Sequence, residues 1–312
     1  MSISFENDSL VTTQAKFKAM GGEFIYLCYP QNNFSKKDIE ELFKQAHAEV
    51  LRIEKTYTEF HDSSLTEINK SSGIKAVHID EEMLYLLSES IRYSKKTSGL
   101  FDITFATLTM AIREAKKNEL TLNESEQDEL RSLIDYRNIE INIDQSTVFL
   151  KNAKTRISFG GIGKGYAVDR AFSFLESKGL VNFSVNGSGD LRVHSASDAP
   201  RPWKLGIRNP FSKNPTQAAG MVQLANGALV SSGTYVQGQH IISTQRESQL
   251  KFVSMTLIAD STIMADVYAT TLMLMEPSQA MLFLNNEDLI GIGIDQSGKT
   301  HLSKSAITHF RL

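Results

Sequence analysis

The chain is short of cysteine, of proline and of unbroken apolar stretches, and each shortage excludes something. A single cysteine, Cys28, rules out an intrachain disulfide and any metal cluster built from cysteine alone. No apolar run approaches the roughly 20 residues that span a bilayer, so no membrane insertion is expected. Positive charge is not in excess: 33 Lys and Arg stand against 36 Asp and Glu, for a formal net charge of −3. The basic footprint of a nucleic-acid binder is therefore missing. Residues 1–18 carry Glu6 and Asp8 and lack the continuous apolar segment of a secretory signal, which points to the cytoplasm. There is no Ser/His/Asp triad signature, no HExxH helix and no Cys/His zinc spacing. The few prolines, six in all, and the glycines concentrate around residues 158–240, where loops should carry the chemistry.

What is present suffices for a real core. At 312 residues and 41% hydrophobic, the chain can form one large domain or two ordinary ones. Lys16 to Tyr29 reads as a strand broken at Gly21-Gly22, with Phe24, Tyr26 and Cys28 on one face. Ser35 and Asp38 form a capping box ahead of Ile39, Leu42, Phe43, Ala46, Val50, Ile53 and Tyr57, a spacing that predicts an amphipathic helix. Glu81 to Lys96 repeats the pattern, and Thr121 to Leu133 reads as a polar surface helix. Ile139, Ile141 and Ile143, a turn at Asp144-Gln145-Ser146, then Val148 and Leu150 predict a hairpin. A helix from about Tyr166 to Lys178 closes at Gly179. Strands are expected near Val181–Val185, Trp203–Ile207, Ala218–Leu224, Leu250–Ile258, Leu289–Ile294 and Lys299–Ser303, with helices near Met264–Met275 and after Pro277. Helices and antiparallel strands mix without regular βαβ alternation, so the fold class is α+β, with largely antiparallel sheets and packed helices.

Two glycine-rich turns and one helix carry the candidate chemistry. Ser158-Phe159-Gly160-Gly161-Ile162-Gly163-Lys164-Gly165 precedes a helix, and a helix N-terminus behind such a loop suits a phosphate or diphosphate. The spacing matches neither the Walker A loop nor the dinucleotide fingerprint, and a tight turn with packed glycines is the alternative. Asn186-Gly187-Ser188-Gly189-Asp190 reads the same two ways, the plain one leaving Asp190 in water. Asp266 and Thr270, four apart, share a helix face, where a carboxylate and a hydroxyl can converge on a hard cation. The alternative makes Asp266 an N-cap, with Thr270 bonded back to a carbonyl. Of seven histidines, only His240 lies in a Gly/Ser-rich stretch between strands; with an unperturbed pKa of about 6.5 it is suited to take a proton, and a structural histidine on an apolar strand is the alternative.

Together these segments resemble the ApbE-like family, the FAD:protein FMN transferases, in the family's order over nearly the whole chain. Phe17 to Gly22 is similar to the family's Ala-Met-Gly-Thr turn, Asp62–Leu65 with Ile68-Asn69 to Asp-Ser-x-Leu…Ile-Asn, and Phe101–Thr104 to Phe-Asp-Pro-Thr. Gly160 to Asp169 is similar to Gly-Gly-Ile-Ala-Lys-Gly-Tyr-Ala-Val-Asp, and Asn186 to Asp190 to Asn-x-Gly-Gly-Asp with one change, Ser188 for a Gly. Trp203–Ile207, Asn209-Pro210, Ser232–Tyr235, His240–Ile242 and Ala265–Thr270 complete the series.

The resemblance implies an ApbE-like, T-fold-related architecture over residues 1–312 as a single domain, with a flavin cleft between two lobes. It implies cleavage of FAD as substrate at its diphosphate with Mg²⁺, and attachment of FMN to a Thr or Ser of a target flavoprotein with release of AMP. On that alignment Asp266, Thr270 and the main-chain carbonyl of Gly161 hold the metal, and His240 deprotonates the acceptor hydroxyl. Met20, Phe101, Asp102, Ser158, Lys164, Ser232, Gly233, Thr234 and Tyr235 contact FAD. The sequence departs from the pattern at several points: Ser158 replaces an Asp, Gly22 a Thr and Ile103 a Pro. The Asp-Pro after the family's histidine is also missing from Ile241-Ile242-Ser243-Thr244-Gln245, and Tyr235 is joined to His240 by a short link. Hydrolysis of FAD to FMN and AMP, or a flavin-binding or assembly role without catalysis, are the alternatives those departures leave open.

Overall fold

Local sequence signals set the ends of many elements. Ser35 Oγ accepts from Asp38 N–H at 3.3 Å and Asp38 Oδ2 accepts from Ser35 N–H at 2.9 Å, the reciprocal pair of a capping box. Behind it runs α1 (Lys36–Tyr57), with Ile39, Phe43, Ala46 and Val50 buried. The alternating run before it forms a hairpin of β1 (Thr13–Ala19) and β2 (Gly22–Cys28). Ala19 pairs with Gly22, so the chain reverses on Met20 and Gly21, one residue earlier than the glycine pair suggested. Both turn residues have positive φ, 51° and 73°. That is the pattern of a type I′ turn, whose twist suits a two-residue hairpin.

A computed structural model describes residues 12–198, 200–214, 217–233 and 250–311. They form two compact units. One is built from the described parts of residues 1–52, 162–242 and 249–312; the described part of the other is residues 53–161.

The first unit is organised on an eight-stranded sheet in the order β1-β2-β6-β7-β10-β11-β12-β13. Its further strands are β6 (Phe183–Gly187), β7 (Asp190–Val193), β10 (Gly227–Gly233), β11 (Phe252–Ala259), β12 (Ile290–Asp295) and β13 (Thr300–Leu302), and every neighbouring pair is antiparallel. β8 (Trp203–Arg208), β9 (Ala218–Leu224) and β14 (Phe310–Arg311) make a second, three-stranded sheet. Side chains alternate across a strand, and Leu191, Val193, Leu229, Ile258 and Ile292 pack with Trp203, Leu205, Ile207 and Val222 between the two sheets. The opposite alternation puts Asp190, Arg192, Val230 and Ser232 on the other face. Against the large sheet pack α6 (Gly163–Ser177) and α7 (Thr262–Leu272), and α8 (Pro277–Asn286) opens with proline in its first turn.

The second unit contains α2 (Ser64–Lys70), α3 (Glu81–Lys96), α4 (Ala106–Lys117) and α5 (Glu124–Ser132). They accompany a small antiparallel sheet of β3 (Val77–His78), β5 (Thr147–Leu150) and β4 (Ile139–Asn142). The expected hairpin is β4–β5, and α5 buries none of its residues, as its polar sequence requires. Among the described residues no helix is long and apolar enough to cross a membrane.

Candidate active site

The glycine loop leads directly into α6, which begins at Gly163, three residues before the expected start. Its N-cap, Ile162, has no side chain that could accept from the first-turn amides, and no acidic residue lies in that turn. Nothing within α6 itself therefore offsets the positive character of this end. Neither Gly160 nor Gly161 has a positive φ, so their use is room and not backbone conformation. Gly165 has a packing reason: a Cβ there would stand 2.8 Å from the Thr262 carbonyl oxygen and 2.9 Å from Ile263 Cα. α6 and α7 meet backbone to backbone at that point.

Across this contact lies Asp266. It is buried, and its Oδ2 lies 3.4 Å from Gly165 N–H, a long hydrogen bond for a carboxylate. Burial and then the charge of Asp190 push its pKa up to about 7, against the opposing pull of Lys164. It is not an N-cap: Ser261 caps α7 by accepting from Met264 N–H at 3.3 Å. Thr270, one turn along, has its Oγ1 2.9 Å from Ser232 Oγ on β10. The alternative reading of the pair is thus not realised.

Lys164 donates to Asp190 Oδ2 at 2.8 Å, and Asp190 is buried at the base of the β6–β7 turn and not turned to water. Burial opposes the ammonium charge, but Asp266 and Asp190 outweigh it and hold Lys164 above the usual lysine range. One cation therefore sits against two buried carboxylates.

The β1–β2 and β6–β7 turns are neighbours, because β2 pairs with β6 through Phe24 and Gly187. Ser188 and Gly189 make the second turn, both with positive φ. A Cβ on Gly22 would lie 1.8 Å from Ser188 Oγ and 2.9 Å from its Cβ. The two motif departures at these turns are therefore one coupled exchange: a side chain at 188 occupies the space that a side chain at 22 would need. β10 runs past its pairing with Asp190 to Ser231, Ser232 and Gly233, so Ser232 extends alongside the same turn.

Asp266 and Thr270 offer hard oxygen donors on one face of α7, and among the described residues the buried Asp266 carboxylate has a single long hydrogen bond. That donor set fits a small hard cation that takes its remaining ligands from water and phosphate. Among the described residues there is no group of three or more His, Cys, Asp or Glu side chains able to hold a metal by themselves.

In the second unit, Phe101 is buried edge-to-face on Tyr93 at 6.3 Å, and a Cβ on Gly161 would lie 3.3 Å from the Phe101 ring. Asp102 accepts from Thr104 N–H at 2.8 Å, Thr104 Oγ1–H at 2.6 Å and Tyr136 N–H at 2.7 Å. Burial nonetheless raises its pKa above the usual carboxylate range. Ser158 Oγ accepts from Gly160 N–H at 3.1 Å, which closes the start of the glycine loop on itself. His240, Thr234 and Tyr235 lie outside the described residues.

Residues 16–292 match the model of the ApbE family. The chain belongs to the ApbE family. Among its relatives, the FAD:protein FMN transferase of Escherichia coli K12 is 25% identical over 252 residues, which are 76% of this chain and 71% of that protein. The FAD:protein FMN transferase of Vibrio cholerae is 24% identical over 232 residues, 70% of this chain and 69% of the other. Solved ApbE structures share the fold. The ApbE protein of Thermotoga maritima superposes with a TM-score of 0.83 at 22% identity, covering 97% of this chain and 100% of its own. The flavin transferase ApbE from Vibrio cholerae gives 0.83 at 21% identity, covering 96% and 99%.

Within this ApbE fold, Lys164, Ser232, Asp266 and Thr270 come together on α6, β10 and α7 of the first unit, while Met20 stands on a turn at the edge of the same sheet. Asp190 and Asp169 both lie inside the family-like motifs, yet neither has a role that is visible from the motifs alone. Asp190 holds the Lys164 ammonium. Asp169 accepts from Thr262 N–H at 2.9 Å and Ile263 N–H at 3.0 Å, so α6 closes the N-terminus of α7. The signal was available: an acidic residue four after Gly165 shares its helix face.

Proposed function

We propose that this ApbE-family chain is a FAD:protein FMN transferase, which moves FMN from FAD to a Thr or Ser hydroxyl of a target flavoprotein and releases AMP. The observation that carries the reading is the placement of Asp266 and Thr270 on α7 beside Lys164 and the start of α6, whose N-cap residue Ile162 has no capping side chain. The names of the relatives support the same reading.

In the reaction the acceptor oxygen forms a bond to the FMN phosphorus, the diphosphate P–O bond breaks, and the hydroxyl proton passes to a base. Asp266 and Thr270 would hold Mg²⁺, together with the Gly161 carbonyl that the motif assigns to it. When bound, that ion supplies charge neutralisation on the diphosphate and on the departing AMP. Lys164, fixed by Asp190, presents an ammonium to phosphate oxygens, and the first-turn amides of α6 add donors for the same charge. Ser232 orients the Thr270 hydroxyl. His240 takes the acceptor proton. Met20 offers an apolar contact to the ring system, and Phe101, Asp102, Ser158, Gly233, Thr234 and Tyr235 take the flavin contacts that their motifs imply.

The test mixes the protein with FAD, Mg²⁺ and a panel of flavoprotein domains carrying candidate acceptor hydroxyls. AMP release matched by covalent fluorescent flavin on one domain is the expected result. AMP with no labelled domain would favour hydrolysis to FMN and AMP, the second reading that the altered segment after His240 supports. Retained FAD with neither product would leave binding alone.

A further inference from the structure

Helices α6 and α7 each give a carboxylate to the other's first turn. Gly165 N–H of α6 faces Asp266 of α7, while Thr262 and Ile263 N–H of α7 are both held by Asp169 of α6. With Ser261 serving Met264 N–H, and the intrahelical bond from Ala265 N–H to Ser261 O following at 3.2 Å, the first amides of α7 are all accounted for. The Asp169 carboxylate is itself fixed. Arg192 donates to its Oδ1 at 2.6 Å from β7, and the Arg192 guanidinium lies 4.2 Å over the Phe172 ring of α6. Gly165 and Asp169, four apart, present one face of α6 to α7. The close approach at Gly165 brings the helices together, and the carboxylate at Asp169 sets the remaining freedom, the slide and rotation of α7.

We propose that Asp169, oriented by Arg192, is a positioning residue for flavin transfer: it docks the N-terminus of α7 on α6 and thereby places Asp266 and Thr270 against Lys164. The inference rests on the transferase reading above, since it is that reaction which needs the placement. Asp169 touches neither nucleotide nor metal in this scheme. It acts through the helix that bears the two ligands.

The experiment compares Asp169→Ala, Asp169→Asn and Arg192→Ala with the parent by amide hydrogen exchange, by Mn²⁺ half-saturation in the presence of FAD, and by kcat and KM for FAD in transfer. In Asp169→Ala, exchange at Thr262 and Ile263 should accelerate. Mn²⁺ half-saturation should rise and kcat should fall by roughly 10- to 100-fold, the usual cost of losing a group that orients a ligand, while KM for FAD moves little. Asp169→Asn keeps one carbonyl oxygen for one amide and should fall between Asp169→Ala and the parent. It and Arg192→Ala decide the matter if the alanine variant does not fold. Accelerated exchange with unchanged kcat and unchanged Mn²⁺ half-saturation would reduce Asp169 to a structural cap and overturn the proposal. Unaltered exchange would show that the clamp itself is wrong. If the parent transfers no flavin, the functional reading fails separately, and the exchange and Mn²⁺ measurements still judge the clamp.

Discussion

Gly165→Ala adds one methyl group where two helices have no space for it. The new carbon would stand 2.8 Å from the Thr262 carbonyl oxygen, 2.9 Å from Ile263 Cα and 3.0 Å from Ile263 N. All three are backbone atoms of the first turn of α7, so no side chain can rotate away and the helices must part by several tenths of an ångström. Helix propensity alone would favour alanine by about 1 kcal/mol. Overpacking of a filled contact costs about 1–3 kcal/mol. The balance is a net destabilisation of up to about 2 kcal/mol, read as a lower urea midpoint with an unchanged slope. Parting the helices also carries Asp266 away from Lys164, so Mn²⁺ half-saturation in the presence of FAD should rise as well. Gly160→Ala is the control, because its methyl would meet only Ser158 Oγ at an ordinary 3.5 Å, and its stability should stay within about 0.5 kcal/mol of the parent. A Gly165→Ala protein more stable than the parent, with unaltered Mn²⁺ binding, would show that the helix contact has room for the methyl group.

Other consequences follow from the same geometry. Gly22→Thr should lower stability by about 1–3 kcal/mol in the parent, because the new side chain meets Ser188. In the Ser188→Gly background most of that loss should disappear, and equal losses in both backgrounds, measured by urea unfolding, would show the turns uncoupled. With the Asp266 pKa near 7, protons compete for the carboxylate that the metal needs. Apparent Mn²⁺ affinity should therefore climb as pH rises to about 7 and level off above it, with a fall approaching tenfold per unit well below that; a flat titration from pH 5.5 to 8 would contradict this. Ser35→Ala removes one half of the α1 capping box and should cost about 1 kcal/mol, read from the thermal midpoint, with no change in Mn²⁺ binding.

Much of the architecture was legible because its signals are local. The Ser35–Asp38 box, the spacing of 81–96 and the alternation across 139–150 depend on neighbours in sequence, and each became the element it predicts. α2 escaped because seven residues are too few to show a period. α4 escaped because its buried positions are mostly small, Ala106, Thr107 and Ala115 with Leu108, and leave no clear apolar stripe. In the site, spacing placed Asp266 and Thr270 on one helix face, and the motifs pointed to Lys164. The partners that fix them were out of reach: Asp190 meets Lys164 across 26 positions and Asp169 meets Thr262 across 93. Only the packed fold brings those residues together. The link between the motif departures at Gly22 and Ser188 was out of reach for the same reason, since their proximity depends on the pairing of β2 with β6.

In the proposed reaction, Asp266 and Thr270 of α7 hold a divalent cation at the FAD diphosphate. Mn²⁺ binding followed by electron paramagnetic resonance, with and without FAD, tests it most directly in the parent and in Asp266→Ala. FAD-enhanced Mn²⁺ binding is expected in the parent, with its loss in a folded Asp266→Ala protein. Equal binding by both proteins would contradict it.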